Sequence, residues 1–129
     1  HIARVLRPGG VYVVGLHITD YGLEEPSEDV WSGRRGDRRV RQLVQYLPAP
    51  GGRGPRARHE RVISHLTVRT GRATREIDSA YILRSYDLPQ WQRLLARSAL
   101  RVEAVVDEQG KDLRLAPPGY GIFVLRPRT

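Results

Sequence analysis

The sequence predicts an α/β fold: part of a doubly wound sheet with an added β-hairpin. Three stretches carry that prediction. "RVLRPGGVYVVGLHI", Arg4 to Ile18, reads as a helix end, a glycine turn and a buried strand, one αβ step of such a sheet. "ERVISHLTVRTGRATREIDSAYILRSY", Glu60 to Tyr86, pairs with itself as a hairpin. "DLPQWQRLLARSALRVEAVV", Asp87 to Val106, reads as a capped helix running into an apolar strand.

In order along the chain, Ile2, Val5 and Leu6 have the spacing of a helix's buried face. Pro8 stops that helix, and Gly9-Gly10 supply a turn that tolerates positive φ. "VYVVGLHI" is apolar on both faces, the pattern of a strand covered on both sides. Residues 19–59 change character and read as an insertion. Within it Val40, Leu43, Val44 and Leu47 fall on one helical face, with Asp37 as N-cap and Pro48 as stop. "PAPGGRGPRARH" then has the composition of a mobile Arg/Gly/Pro loop.

The hairpin turns at Gly71-Arg72, with glycine first as a type II′ turn requires. That register sets Leu66 opposite Ile77 and Val62 opposite Tyr81. It also sets Thr67 opposite Glu76 and His65 opposite Asp78. Apolar residues then meet apolar ones and polar meet polar. In the next helix Asp87 and Gln90 have capping-box spacing, and Leu88, Trp91, Leu94 and Leu95 form the buried stripe. "LRVEAVV" follows as a strand. A polar connection over 107–119 leads to the last strand, "YGIFVLRP", Tyr120 to Pro127.

Composition narrows the function classes. The 129-residue chain holds no cysteine, which excludes a disulfide framework and thiolate metal sites and leans towards the cytoplasm. No run approaches the ~20 apolar residues that span a bilayer, so no membrane partner is expected. The net charge is +8, and of 22 basic residues only Lys111 is a lysine. A GC-rich coding sequence explains that bias. So does an anionic partner such as nucleic acid, although few aromatics stand near the arginine clusters to stack bases. His59 and His65 have no metal-ligand spacing, so no metal site is expected.

Ligands of open α/β sheets bind at the carboxyl ends of the strands. For the first strand those residues are His17, Thr19, Asp20 and Tyr21. His17 is the catalytic candidate, because a neutral imidazole can orient or deprotonate a nucleophile near pH 7. The alternative is a strand-end histidine satisfied by local hydrogen bonds. Tyr86 and Trp91 are expected to pack the helix onto the sheet.

"HIARVLRPGGVYVVGL" resembles the fifth strand, and the end of the helix before it, of class I S-adenosylmethionine-dependent methyltransferases. "YILRSYDLPQWQRLLARSALRVEAVVDEQG" is similar to the segment that follows in small-molecule members of that family. "YGIFVLRPR" is similar to their seventh strand. The resemblance implies the C-terminal part of a Rossmann-like methyltransferase sheet, with the last strand antiparallel between the fifth and sixth. It implies S-adenosylmethionine as cofactor, a small-molecule methyl acceptor, and the N-terminal part of the same domain as partner. It also adds Tyr81 and Arg84 as substrate-binding candidates. Arg84 is suited to holding a carboxylate bidentately, and the pair is expected to face His17 and Tyr21 across one cleft.

Two departures qualify the resemblance. Ser98-Ala99-Leu100 replaces the family's small residue, glycine and phenylalanine before the sixth strand. The glycine-rich first motif and the acidic residue ending the second strand have no counterpart, and "GGRG" at Gly51 to Gly54 lies in a proline-rich loop. The cofactor-binding residues are therefore unknown, and the 129-residue chain alone is expected to be inactive. A catalytically silent methyltransferase-like subunit or binding module is the alternative, followed by a basic nucleic-acid-binding domain.

Overall fold

The computed structural model describes residues 2–114 and 119–128. The connection expected over 107–119 lies partly outside the described residues. In chain order the elements are α1 (Ile2–Val5), β1 (Tyr12–Ile18), β2 (Ser27–Arg35), β3 (Arg38–Leu47), β4 (His59–Thr70), β5 (Ala73–Arg84), α2 (Leu88–Ala96), β6 (Leu100–Val106) and β7 (Gly119–Pro127). Contacts divide the chain into two units, His1–Asp20 with Ser85–Thr129, and Tyr21–Arg84.

In the first unit the sheet order is β1-β7-β6, with β7 antiparallel to both neighbours. Gly9 takes φ +76 in the turn before β1, and the Gly10 N–H donates to the Arg7 carbonyl at 2.8 Å. Asp87 caps α2 as its spacing predicts. Its carboxylate accepts from the Gln90 N–H at 2.7 Å, and the Gln90 side chain accepts from the Asp87 N–H at 3.2 Å. The core joins Ile18, Trp91, Leu95, Leu100, Phe123 and Leu125. Trp91 sits edge-on to Phe123, with centroids 5.4 Å apart, and Tyr86 sits edge-on to Trp91 at 6.0 Å.

Two expectations about this unit need correction, and a third is met on one face only within this chain. α1 is a single turn that turns Ala3 and Leu6 to the core, while Val5 is 80% exposed. Leu94 stands at the margin of the α2 stripe and is exposed, so Leu88, Trp91 and Leu95 carry the contact. β1 was expected to be covered on both faces. Its burial alternates instead: Tyr12, Val14, Leu16 and Ile18 pack into the core, while Val13 is 55% exposed on the other face.

The second unit is a four-stranded antiparallel sheet, β2-β3-β4-β5. The hairpin register is as expected, including Leu66 opposite Ile77 and Thr70 opposite Ala73 around Gly71-Arg72. Gly71 has φ +58, and among the described residues no non-glycine residue, Arg72 included, has positive φ, the sign pattern of a type II′ turn.

The amphipathic helix expected within 19–59 is instead strand β3, and the segment before it is strand β2. The reason is tertiary. β3 is paired on both sides, Val40 with Gly33 and Val68, and Val44 with Asp29 and Ser64, so two ladders satisfy its backbone. The i, i+3, i+4 spacing also fits a strand covered on both faces. Val40 and Val44 point one way, Leu43 and Leu47 the other. Asp37 is not a helix cap but the second central residue of a turn whose first, Gly36, has φ +61. The stretch expected as an insertion shares one sheet with the hairpin.

The Arg/Gly/Pro loop expected to be mobile is hydrogen-bonded across its base. The Gly51 N–H donates to the Ala57 carbonyl at 2.8 Å, and Ala49 and Ala57 are buried. On the sheet beside it Val62 is fully buried, and Gln42 Nε2 donates to Ser64 Oγ at 2.9 Å.

Candidate functional site

Among the first unit's residues, the carboxyl end of β1 gathers His17, Thr19 and Asp20. Helix α2 fixes this end through the residue that leads into it. Ile18 forms a parallel bridge with Tyr86, and the Thr19 N–H donates to the Tyr86 carbonyl at 2.9 Å. Tyr86 is itself held by Trp91. Thr19 is buried, Asp20 is half-buried, and His17 is exposed on the face opposite the core. A histidine on that face can meet a ligand, whereas Thr19 serves the strand end from inside.

The sequence reading missed Tyr120. It lies directly opposite His17 in the β1–β7 ladder, so the two side chains share a face. Its ring reaches diagonally over Gly15, where an added Cβ would come within 1.9 Å of the Tyr120 hydroxyl. Gly15 is thus the gap that lets an aromatic wall lie beside His17. The clue was a glycine inside an apolar strand, which marks a close approach.

Tyr21, Tyr81 and Arg84 belong to the second unit. Tyr21 is seated on Gly51, whose added Cβ would come within 2.6 Å of the Tyr21 Cβ. Tyr81 is half-exposed opposite Val62, and Tyr46 flanks Val62 from the other strand. Burial pushes the Tyr46 phenol above its ordinary range, with Asp29, Tyr81 and Glu60 adding to the shift. Arg84 is exposed opposite His59 at the end of the ladder. Tyr81 and Arg84 are three residues apart on one strand, so the pleat turns them to opposite faces.

No group of three His, Cys, Asp or Glu suited to a metal ion occurs among the described residues. No described helix is long and apolar enough to cross a membrane. The described residues also do not fit S-adenosylmethionine. A cradle for its amino acid and ribose needs a strand, a glycine-rich turn and an open helix N-terminus. Here the N-terminus of α2 is closed by its own Asp87 cap, and α1 is one turn long.

No family model matches the chain, and no curated protein does. Solved structures do. DesVI of Streptomyces venezuelae matches 98% of the chain at TM-score 0.67 and 22% identity. An S-adenosylmethionine-dependent methyltransferase from Clostridium acetobutylicum matches 99% at TM-score 0.64 and 13% identity. CalS10, an amino pentose methyltransferase from Micromonospora echinaspora, matches 95% at TM-score 0.59 and 18% identity.

This chain has a class I methyltransferase-like fold.

The chain spans about half the length of these structures, 48%, 48% and 47% of each. The β1-β7-β6 order, with the last strand antiparallel in the middle, is the arrangement the family resemblance implied.

Proposed function

We propose that the chain is the C-terminal part of an S-adenosylmethionine-dependent methyltransferase that acts on a small molecule in the cytoplasm. The observation that carries this reading is the β1-β7-β6 sheet, superimposable over almost the whole chain on methyltransferases of low sequence identity. Similar structures include an amino pentose methyltransferase and a sugar N-methyltransferase, which supports a small polar acceptor.

The partner is the N-terminal part of the same domain, which supplies the cofactor site. Two features of β1 support that. Among the described residues its edge away from β7 carries only the Ile18–Tyr86 bridge. Its second face leaves Val11 and Val13 exposed. An open edge beside an uncovered apolar face is a liability that further strands and helices remove.

When bound, S-adenosylmethionine supplies an activated methyl group, so the protein's task is to position the acceptor and exclude water. In this chain His17 orients or deprotonates the acceptor's nucleophile. Thr19 and Asp20 shape the strand end where it works. In the second unit Arg84 is the residue suited to hold an anionic or carbonyl group of the substrate, and Tyr81, on the opposite face of β5, does not share that contact.

The test is methyl-labelled cofactor with the full-length protein, a panel of small amines and alcohols, and RNA. Label in a small-molecule product supports the proposal. Label in RNA supports a nucleic-acid reading, and no transfer despite cofactor binding supports a silent subunit.

A further inference from the structure

The four-stranded sheet carries a feature that methyl transfer does not use. One face holds two rows of side chains set by the ladder register. Arg34 lies opposite Arg39, which lies opposite Arg69. One step along, Ser32 lies opposite Arg41, Arg41 opposite Thr67, and Thr67 opposite Glu76. These residues line a groove of about 580 Å³.

Like charges directly opposite one another destabilise a sheet. Among the described residues none of the four arginines is ion-paired with a carboxylate, although Glu76 lines the same groove. The Arg34 Nε donates to the Gly36 carbonyl at 3.1 Å, which holds that head group at the rim.

We propose that this groove is a binding site for a small polyphosphate anion, with Arg34, Arg39, Arg41 and Arg69 as its ligands. Guanidinium forks match phosphate oxygens two at a time. Neighbouring positions across a ladder are about 5 Å apart, so the Arg34–Arg39–Arg69 row spans roughly 10 Å. A single phosphate reaches part of that row, whereas two or three linked phosphates reach all of it. Ser32 and Thr67 also line the groove. Its volume falls within the ~300–1,000 Å³ of small-ligand pockets, which favours a compact anion over a nucleic-acid strand. The inference is independent of the methyl-transfer reading.

Calorimetric titration of the 129-residue chain with tripolyphosphate, orthophosphate and a single-stranded RNA oligonucleotide tests it. Tripolyphosphate is expected to bind at one site, at least about tenfold tighter than orthophosphate. Arg39→Ala with Arg69→Ala should abolish that binding without lowering the thermal midpoint, since like-charge repulsion is also removed. Arg39→Lys should weaken binding by keeping the charge and losing the fork. Arg61→Ala, on the same face but outside the groove, should leave it unchanged. The proposal is overturned if Arg61→Ala costs as much as the double variant, if RNA binds in preference with a steep salt dependence, or if orthophosphate binds equally well.

Discussion

Phe123→Ala removes the ring at the centre of the first unit. Phe123 is 2% exposed and lies opposite Val14 of β1 and Val105 of β6. Its ring meets Trp91 edge-on at 5.4 Å. Truncating a fully buried phenylalanine costs about 3–5 kcal/mol, transfer and cavity together. Phe123→Leu keeps most of the volume but loses the aromatic edge contact, worth about 1 kcal/mol. Domains are stable by only ~5–15 kcal/mol, so the alanine variant should shift unfolding strongly and the leucine variant slightly. Trp31 and Trp91 are the two tryptophans, and a Trp31→Phe background leaves Trp91 as sole reporter of this core in urea titration. An alanine variant costing less than about 1 kcal/mol, or no worse than leucine, would refute the assignment of Phe123 and Trp91 as one packed core.

Gly71→Val should destabilise the hairpin by about 1–3 kcal/mol, because a β-branched residue must take φ +58 there; an unchanged melting curve would contradict the turn. The Tyr46 phenol keeps its proton in the fold after the unfolded chain has released it near 10.0. Its contribution to stability is therefore whole below that pH and lost as pH rises through the folded pKa. Tyr46→Phe should flatten the fall in stability under alkali, and a phenolate titration of wild type minus variant should have its midpoint above 10.0. In the full-length protein Arg84→Ala should mainly raise KM and His17→Ala mainly lower kcat. Unchanged kinetics in both variants would remove them from the site.

Local chemistry made much of the fold legible. The Gly9-Gly10 turn, the Asp87–Gln90 capping box and the Gly71-Arg72 turn each satisfy backbone needs within a few residues, so their neighbours suffice to read them. β3 failed for the opposite reason. Val40, Leu43, Val44 and Leu47 fit a helix face and a two-faced strand equally, and only pairing with β2 and β4 decides between them. The Gly36-Asp37 dipeptide was the local clue, a two-residue turn between runs that pair. At the candidate site the strand end at His17 to Asp20 was legible from the apolar run that stops there. Tyr120 was not, because its place beside His17 comes from a strand about a hundred residues away in sequence.

The proposed function makes this chain one part of a methyltransferase domain, with the cofactor site in the other part. Calorimetric titration of S-adenosylmethionine tests it most directly, first into the 129-residue chain and then into that chain joined to the polypeptide encoded upstream. The expected result is no measurable binding to the chain alone and one cofactor per molecule once the upstream part is present. Clear micromolar binding to the chain alone, or none in the joined form, would contradict the claim.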